Sequence, residues 1–156
     1  MKIRTVSYNN RKKAFEVRMG SRTYIYPYSR AKNGPRAGDL VRDVHVDQEL
    51  GCEGFNYVLD SGREGTIHGE QVLDYNEDPD YLRDAMIYKL TVEVQNRLKS
   101  SRLTRREIVR RLGTSATQFY RLIDQTNTRK SFGQLLALLH ILDCEVDLVV
   151  RKRRSA

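Results

Sequence analysis

Tryptophan is absent from the 156 residues, and cysteine and proline are scarce, with two and three copies. Cys52 and Cys144 stand far apart and outside any CxxC spacing, which argues against a disulfide framework or a zinc ribbon and fits a reducing cytoplasm. Both read as small buried hydrophobes. There is no run of about 18 apolar residues, so no membrane span is expected. The basic N-terminus lacks the apolar core of a signal peptide. His45, His68 and His140 stand alone without partners at ligand spacing, so no metal is expected. Ser61-Gly62-Arg63-Glu64-Gly65 has neither the Walker nor the dinucleotide pattern and does not open a helix. No nucleophile lies beside a base, so neither an enzyme nor a cofactor is expected.

Acidic residues are scarce in one half only. Residues 1–79 carry 12 Lys+Arg against 12 Asp+Glu, and residues 80–156 carry 16 against 8, which supplies the whole net charge of +8. Between Arg97 and Lys130 ten bases face only Glu107 and Asp124. Such clustering points to a nucleic-acid footprint. The first half is itself divided, with 10 bases and one acid in residues 1–36, then 2 bases and 11 acids in residues 37–79. These blocks are expected to pair as neighbouring strands.

Short apolar runs separated by turn residues fill the first 75 positions: Ile3–Tyr8, Ala14–Val17, Thr23–Tyr26, Leu40–Val46, Phe55–Leu59 and Gly65–His68. A small antiparallel sheet or compact barrel fits this spacing. Tyr24, Tyr26 and Tyr28 alternate along one strand, a pattern that suits sheet packing or stacking on single strands. Asp78 and Pro79 read as the cap and first residue of a helix. Leu82, Met86, Leu90, Val94 and Leu98 then recur every four residues as one apolar stripe. Cys144–Arg151 reads as a terminal strand followed by a mobile basic tail through Arg154.

Three capping signatures follow one another: Thr104 with Glu107, Ser115 with Gln118, and Ser131 with Gln134. They predict helices over 105–112 and 116–123, joined by only Gly113, Thr114 and Ser115, with Gly113 ending the first. So short a join forces a steep crossing. Ile108 and Leu112 would pack against Phe119 and Leu122. The opposite face of the second helix carries Thr117, Tyr120 and Arg121, with Gln118 near its start, all able to touch base edges or phosphates.

Leu103-Thr104, Glu107-Ile108, Leu112-Gly113-Thr114-Ser115, Phe119-Tyr120-Arg121 and the leucine-rich run Phe132–Leu142 make residues 92–150 resemble the Cro and Xre-like phage-repressor family. Val109 stands where that family usually has alanine. The resemblance implies a bundle of about five helices that binds duplex DNA. It places Ala116, Thr117, Gln118, Tyr120 and Arg121 in the major groove. It places Thr104, Arg105, Thr114, Ser115, Arg129 and Lys130 at phosphates.

The expected fold is α+β: a small β-rich domain over 1–78, followed by an all-α helix-turn-helix domain over 79–156 that ends in a short strand. The expected function is a cytoplasmic, homodimeric, sequence-specific DNA-binding regulator, most simply a repressor. Two alternatives accompany it. One is an antitoxin whose acidic block neutralises a basic toxin. The other is an RNA- or single-strand-binding protein using the first domain.

Overall fold

A computed structural model describes residues Met1–Lys152; Arg153 and Arg154 of the basic tail lie outside the described residues. The chain divides into two compact units, Met1–Leu82 and the residues from Arg83 onward.

In the first unit, β1 (Ile3–Asn9), β2 (Ala14–Met19) and β3 (Arg22–Pro27) form one antiparallel sheet in chain order. After a 3-10 turn at Tyr28–Arg30, β4 (Val41–Val46), β5 (Gly54–Leu59) and β6 (Glu64–His68) form a second. The hairpin linking β5 and β6 turns at Gly62, whose φ of 83° L side chains rarely adopt. Alternate residues point inward, as the pleat requires. Phe15, Val17, Met19, Tyr24, Tyr26, Phe55, Tyr57, Leu59 and Ile67 build a single core. Phe15 lies at its centre, with ring centroids 4.7 Å from Tyr28, 5.1 Å from Phe55 and 5.4 Å from Tyr57. Gly65 faces Tyr57 across the ladder, and a Cβ there would come within 2.2 Å of the phenol oxygen. Only glycine leaves room for that ring.

Asn10 holds the two sheets together. Its amide donates to the Val41 carbonyl at 2.8 Å, and its oxygen accepts from the Val41 amide at 3.3 Å and the Tyr28 hydroxyl at 3.0 Å. A helix, α1 (Gly69–Tyr75), follows β6 directly and buries Val72 and Leu73 in the same core.

Asp39 locks the loop before β4 to the β5–β6 turn. Its carboxylate accepts from the Ser61 amide and hydroxyl, both at 2.9 Å, and from the Arg63 guanidinium at 2.7 Å. The Arg63 bond and then the Ser61 amide hold its pKa down to about 2. A depressed carboxyl stabilises the fold above its unfolded value and ceases to do so as pH falls through its folded value. The first unit is therefore expected to lose this contribution between about pH 4 and pH 2. Urea titrations of wild type and Asp39→Asn across that window check it, because the variant should show a shallower acid loss. Parallel curves would remove Asp39 from the account.

The second unit is helical. Helix α2 (Pro79–Ser100) passes through the boundary, and α3 (Arg105–Leu112), α4 (Ala116–Ile123) and α5 (Phe132–Ile141) follow. Their core joins Ile87, Val94, Ile108, Phe119, Leu122, Leu135, Leu138 and Leu139. Burying each such side chain contributes roughly 1.5–3 kcal/mol. Val109, Leu112 and Ile123 pack around them. No helix among the described residues is long and apolar enough to cross a membrane.

Several expectations need correction. The fold is not a β-rich domain followed by an all-α domain with a closing strand. Two separate three-stranded sheets precede five helices, and the part of the chain beyond the first sheet is not all-α, because β4–β6 come before the helices. Cys144–Arg151 forms no strand, since no strand among the described residues pairs with it. The basic and acidic blocks do not pair as ladder neighbours: each strand bonds within its own block, and an ion pair of 2.6 Å, Arg22 to Asp78, joins the blocks instead. The α2 stripe also shifts. Met86 is exposed, and the buried line runs through Ile87, Thr91 and Val94. A strict spacing of four drifts by about 40° per step around a helix of 3.6 residues per turn.

Candidate nucleic-acid interface

Local chemistry fixes α3 and α4 before any packing does. Thr104 caps α3: its hydroxyl accepts from the Glu107 amide at 3.3 Å, and the Glu107 carboxylate accepts from the Thr104 amide at 2.8 Å and its hydroxyl at 2.9 Å. The bond from the Thr104 amide, then that from its hydroxyl, holds the Glu107 pKa below the usual carboxylate range. Gly113, at φ 67°, ends α3. Ser115 then caps α4, accepting from the Gln118 amide at 3.2 Å. The Gln118 side chain does not return to the cap, so only the first half of that box forms.

Phe119 and Leu122 face the core, which turns the opposite side of α4 outward. Ala116, Thr117, Gln118, Tyr120 and Arg121 are all exposed there. Among the described residues, the side chains of Thr117, Gln118 and Arg121 find no hydrogen-bond partner. Tyr120 does: the Arg105 guanidinium donates to its hydroxyl at 3.2 Å and lies 5.7 Å from its ring centroid. Arg105, expected at a phosphate, and Tyr120, expected at a base, thus form one joined group across the turn. Gln118, Arg121 and Arg129 converge on a hollow of about 250 Å³, which Ser131 and Gln134 at the start of α5 close.

Two residues expected at phosphates are committed elsewhere. The Thr104 hydroxyl is held in its capping box. Lys130 is turned inward, and its ammonium donates to Thr91 Oγ1 at 3.0 Å, to the Leu122 carbonyl at 2.8 Å and to the Asp124 carbonyl. Burial pushes its pKa down, and the nearby Asp124 charge partly offsets that. Among the described residues, the side chains of Thr114, Ser115 and Arg129 donate no hydrogen bond.

Sequence reasoning missed what supports the end of α4. Asp124 follows the helix in an extended conformation, with no glycine to close it. Side chains from elsewhere satisfy the orphan carbonyls instead. Gln95 on α2 donates to Ile123 O at 2.7 Å and is itself held by Gln125 at 2.6 Å, while Lys130 takes the carbonyls on either side. The missing glycine after Ile123 was the signal that another cap had to exist.

In the first unit Tyr24, Tyr26, Tyr28 and Tyr57 are buried, so these rings pack the sheets and are not presented for stacking on bases. His45, His68 and His140 lie on β4, β6 and α5, and no cluster of metal-ligating side chains occurs among the described residues. Comparison with known proteins finds no protein family, no curated protein and no solved structure that matches this chain.

Proposed function

We propose that this chain is a transcriptional regulator, a repressor acting in the cytoplasm as a homodimer, that binds duplex DNA through α3 and α4. One observation carries the reading. The outward face of α4 presents Thr117, Gln118 and Arg121 with no side-chain hydrogen bond among the described residues, beside the joined Arg105–Tyr120 pair, and no carboxylate stands among them. A surface helix with a merely structural role has no need of so many free donors on one side. Two eight-residue helices joined by Gly113, Thr114 and Ser115 are consistent in length with a unit that lays one helix into a major groove.

In this reading the arginines release counterions from the phosphates and make affinity depend steeply on salt. Arg121 donates in bidentate fashion to a guanine, and Thr117 and Ala116 touch a neighbouring thymine methyl. A single helix reads few base pairs, so two copies would address half-sites about one helical turn apart.

Selection of genomic duplex fragments at physiological salt, with wild type and Arg121→Ala side by side, tests it. Wild type should enrich a palindromic site, and the variant should lose about 1–3 kcal/mol of discrimination at one position in each half-site. Flat enrichment, indifferent to Arg121, would sink the reading.

A further inference from the structure

Where the first sheet ends, three pieces of chain enclose a hollow of about 460 Å³. One wall is the β1–β2 turn with Lys12 and Lys13. A second is Pro27 with the 3-10 turn that follows it, and the third is the loop from Pro35 to Leu40. That volume falls within the roughly 300–1,000 Å³ of small-molecule sites. Every wall belongs to the first unit.

Each wall is braced by the chain around it. The Lys12 amide donates to Asn9 Oδ1 at 2.9 Å, and the Lys13 carbonyl accepts from the Tyr28 amide at 2.9 Å. Arg36 and Asp39 exchange both backbone hydrogen bonds, at 3.2 and 3.0 Å. Asp39 is in turn held by Ser61 and Arg63. A site already formed loses little binding free energy to ordering itself.

The lining has two characters. Pro27, Pro35 and Leu40 give it apolar surface, Lys12, Lys13 and Arg36 bring three positive charges, and no acid lines it. All three bases are exposed, and none enters an ion pair among the described residues. Like charges gathered around one hollow repel, and an anion placed among them removes that repulsion. The number of charges selects the anion. A phosphate monoester carries about two negative charges at neutral pH, and its oxygens accept a guanidinium in bidentate fashion. A carboxylate has half that charge and would leave most of the field unmet.

We propose that this hollow binds a small organic phosphate monoester. Lys12, Lys13 and Arg36 meet the phosphate, and the apolar body lies against Pro27, Pro35 and Leu40. The site uses no residue of the DNA-binding reading, so either idea can fail alone.

The two parts of this chemistry can be tested apart. α-Naphthyl phosphate carries both, α-naphthol lacks the charge, and inorganic phosphate lacks the apolar body. Each is titrated into the isotope-labelled full chain and followed by NMR amide shifts. The ester should saturate with a dissociation constant of about 0.1–1 mM and move the amides of Lys12, Lys13, Ser29 and Ala37. The other two probes should bind at least about tenfold more weakly. Lys12→Glu and Arg36→Glu should each weaken the ester on the order of tenfold, with amides elsewhere unmoved as a sign of an intact fold. Arg18→Glu makes the same change of net charge at the other end of β2 and should leave affinity within about twofold. The proposal is overturned by an ester that gives no saturable shift, or by shifts confined to other amides. It is equally overturned if α-naphthol or inorganic phosphate binds as tightly as the ester, or if Arg18→Glu weakens it as much as Arg36→Glu.

Discussion

Lys130→Met is expected to destabilise the second unit by about 3 kcal/mol, because a charged donor serving several acceptors is among the stronger hydrogen-bonding arrangements. The ammonium meets Thr91 Oγ1 and the carbonyls of Leu122 and Asp124. Methionine keeps the length of the side chain and offers no proton, so two carbonyls at the end of α4 lose their partner. Loss of the helical signal in urea reads the effect. Thr91 is fully buried and also donates to the Ile87 carbonyl at 2.7 Å, so Thr91→Val is costly in wild type. In the Lys130→Met background it should cost less, because one of its two bonds has already gone. A loss below about 1 kcal/mol for Lys130→Met would show that water replaces the ammonium freely.

Asp78→Ala is expected to cost about 2–4 kcal/mol in the first unit, through two separate losses. One carboxylate oxygen accepts from the Asp80 and Tyr81 amides, both at 3.1 Å, and so caps α2. The other accepts from the buried Tyr24 hydroxyl at 2.7 Å and from Arg22 at 2.6 Å. Burial pushes this carboxyl up, but the Tyr24, Tyr81 and Arg22 bonds outweigh it and hold the pKa below its ordinary value. The arginine is half-exposed, so the ion pair itself contributes little. Most of the loss comes from the missing cap and the stranded hydroxyl. Asp78→Asn keeps a good capping side chain and should cost less than half as much. Equal losses for Asn and Ala in chemical denaturation would assign the effect to charge and refute this division.

The parts legible in the sequence were those that local chemistry decides. Gly20, Gly62 and Gly113 occupy the positive-φ positions where the chain turns, so six strands and the α3–α4 join could be read directly. Partners distant in sequence could not. Nothing in a list of hairpins says whether they merge into one sheet, and Asn10 holding Val41 is a contact across thirty-one positions. Helix α1 was hidden because it begins at a glycine immediately after β6, with only Gln71 reaching back to the His68 amide at 2.9 Å to mark its start. The inward turn of Lys130 was not legible, because a lysine beside Arg129 in a basic loop resembles every other surface cation. Its inward turn follows from carbonyls that only the folded helix presents. The closing strand failed for another reason: alternation states a preference for pairing and cannot supply the second strand.

The contact between Arg105 and Tyr120 has a consequence for rates. A free arginine on a surface samples many rotamers, and ordering one on contact costs roughly 0.5–1.5 kcal/mol. Here the ring and hydroxyl of Tyr120 already hold the guanidinium, so part of that freedom is given up before any ligand arrives. What approaches this face meets a fixed pair of donors in place of a sweeping chain. The benefit appears as a longer residence time, since such pre-ordering slows departure more than it speeds arrival.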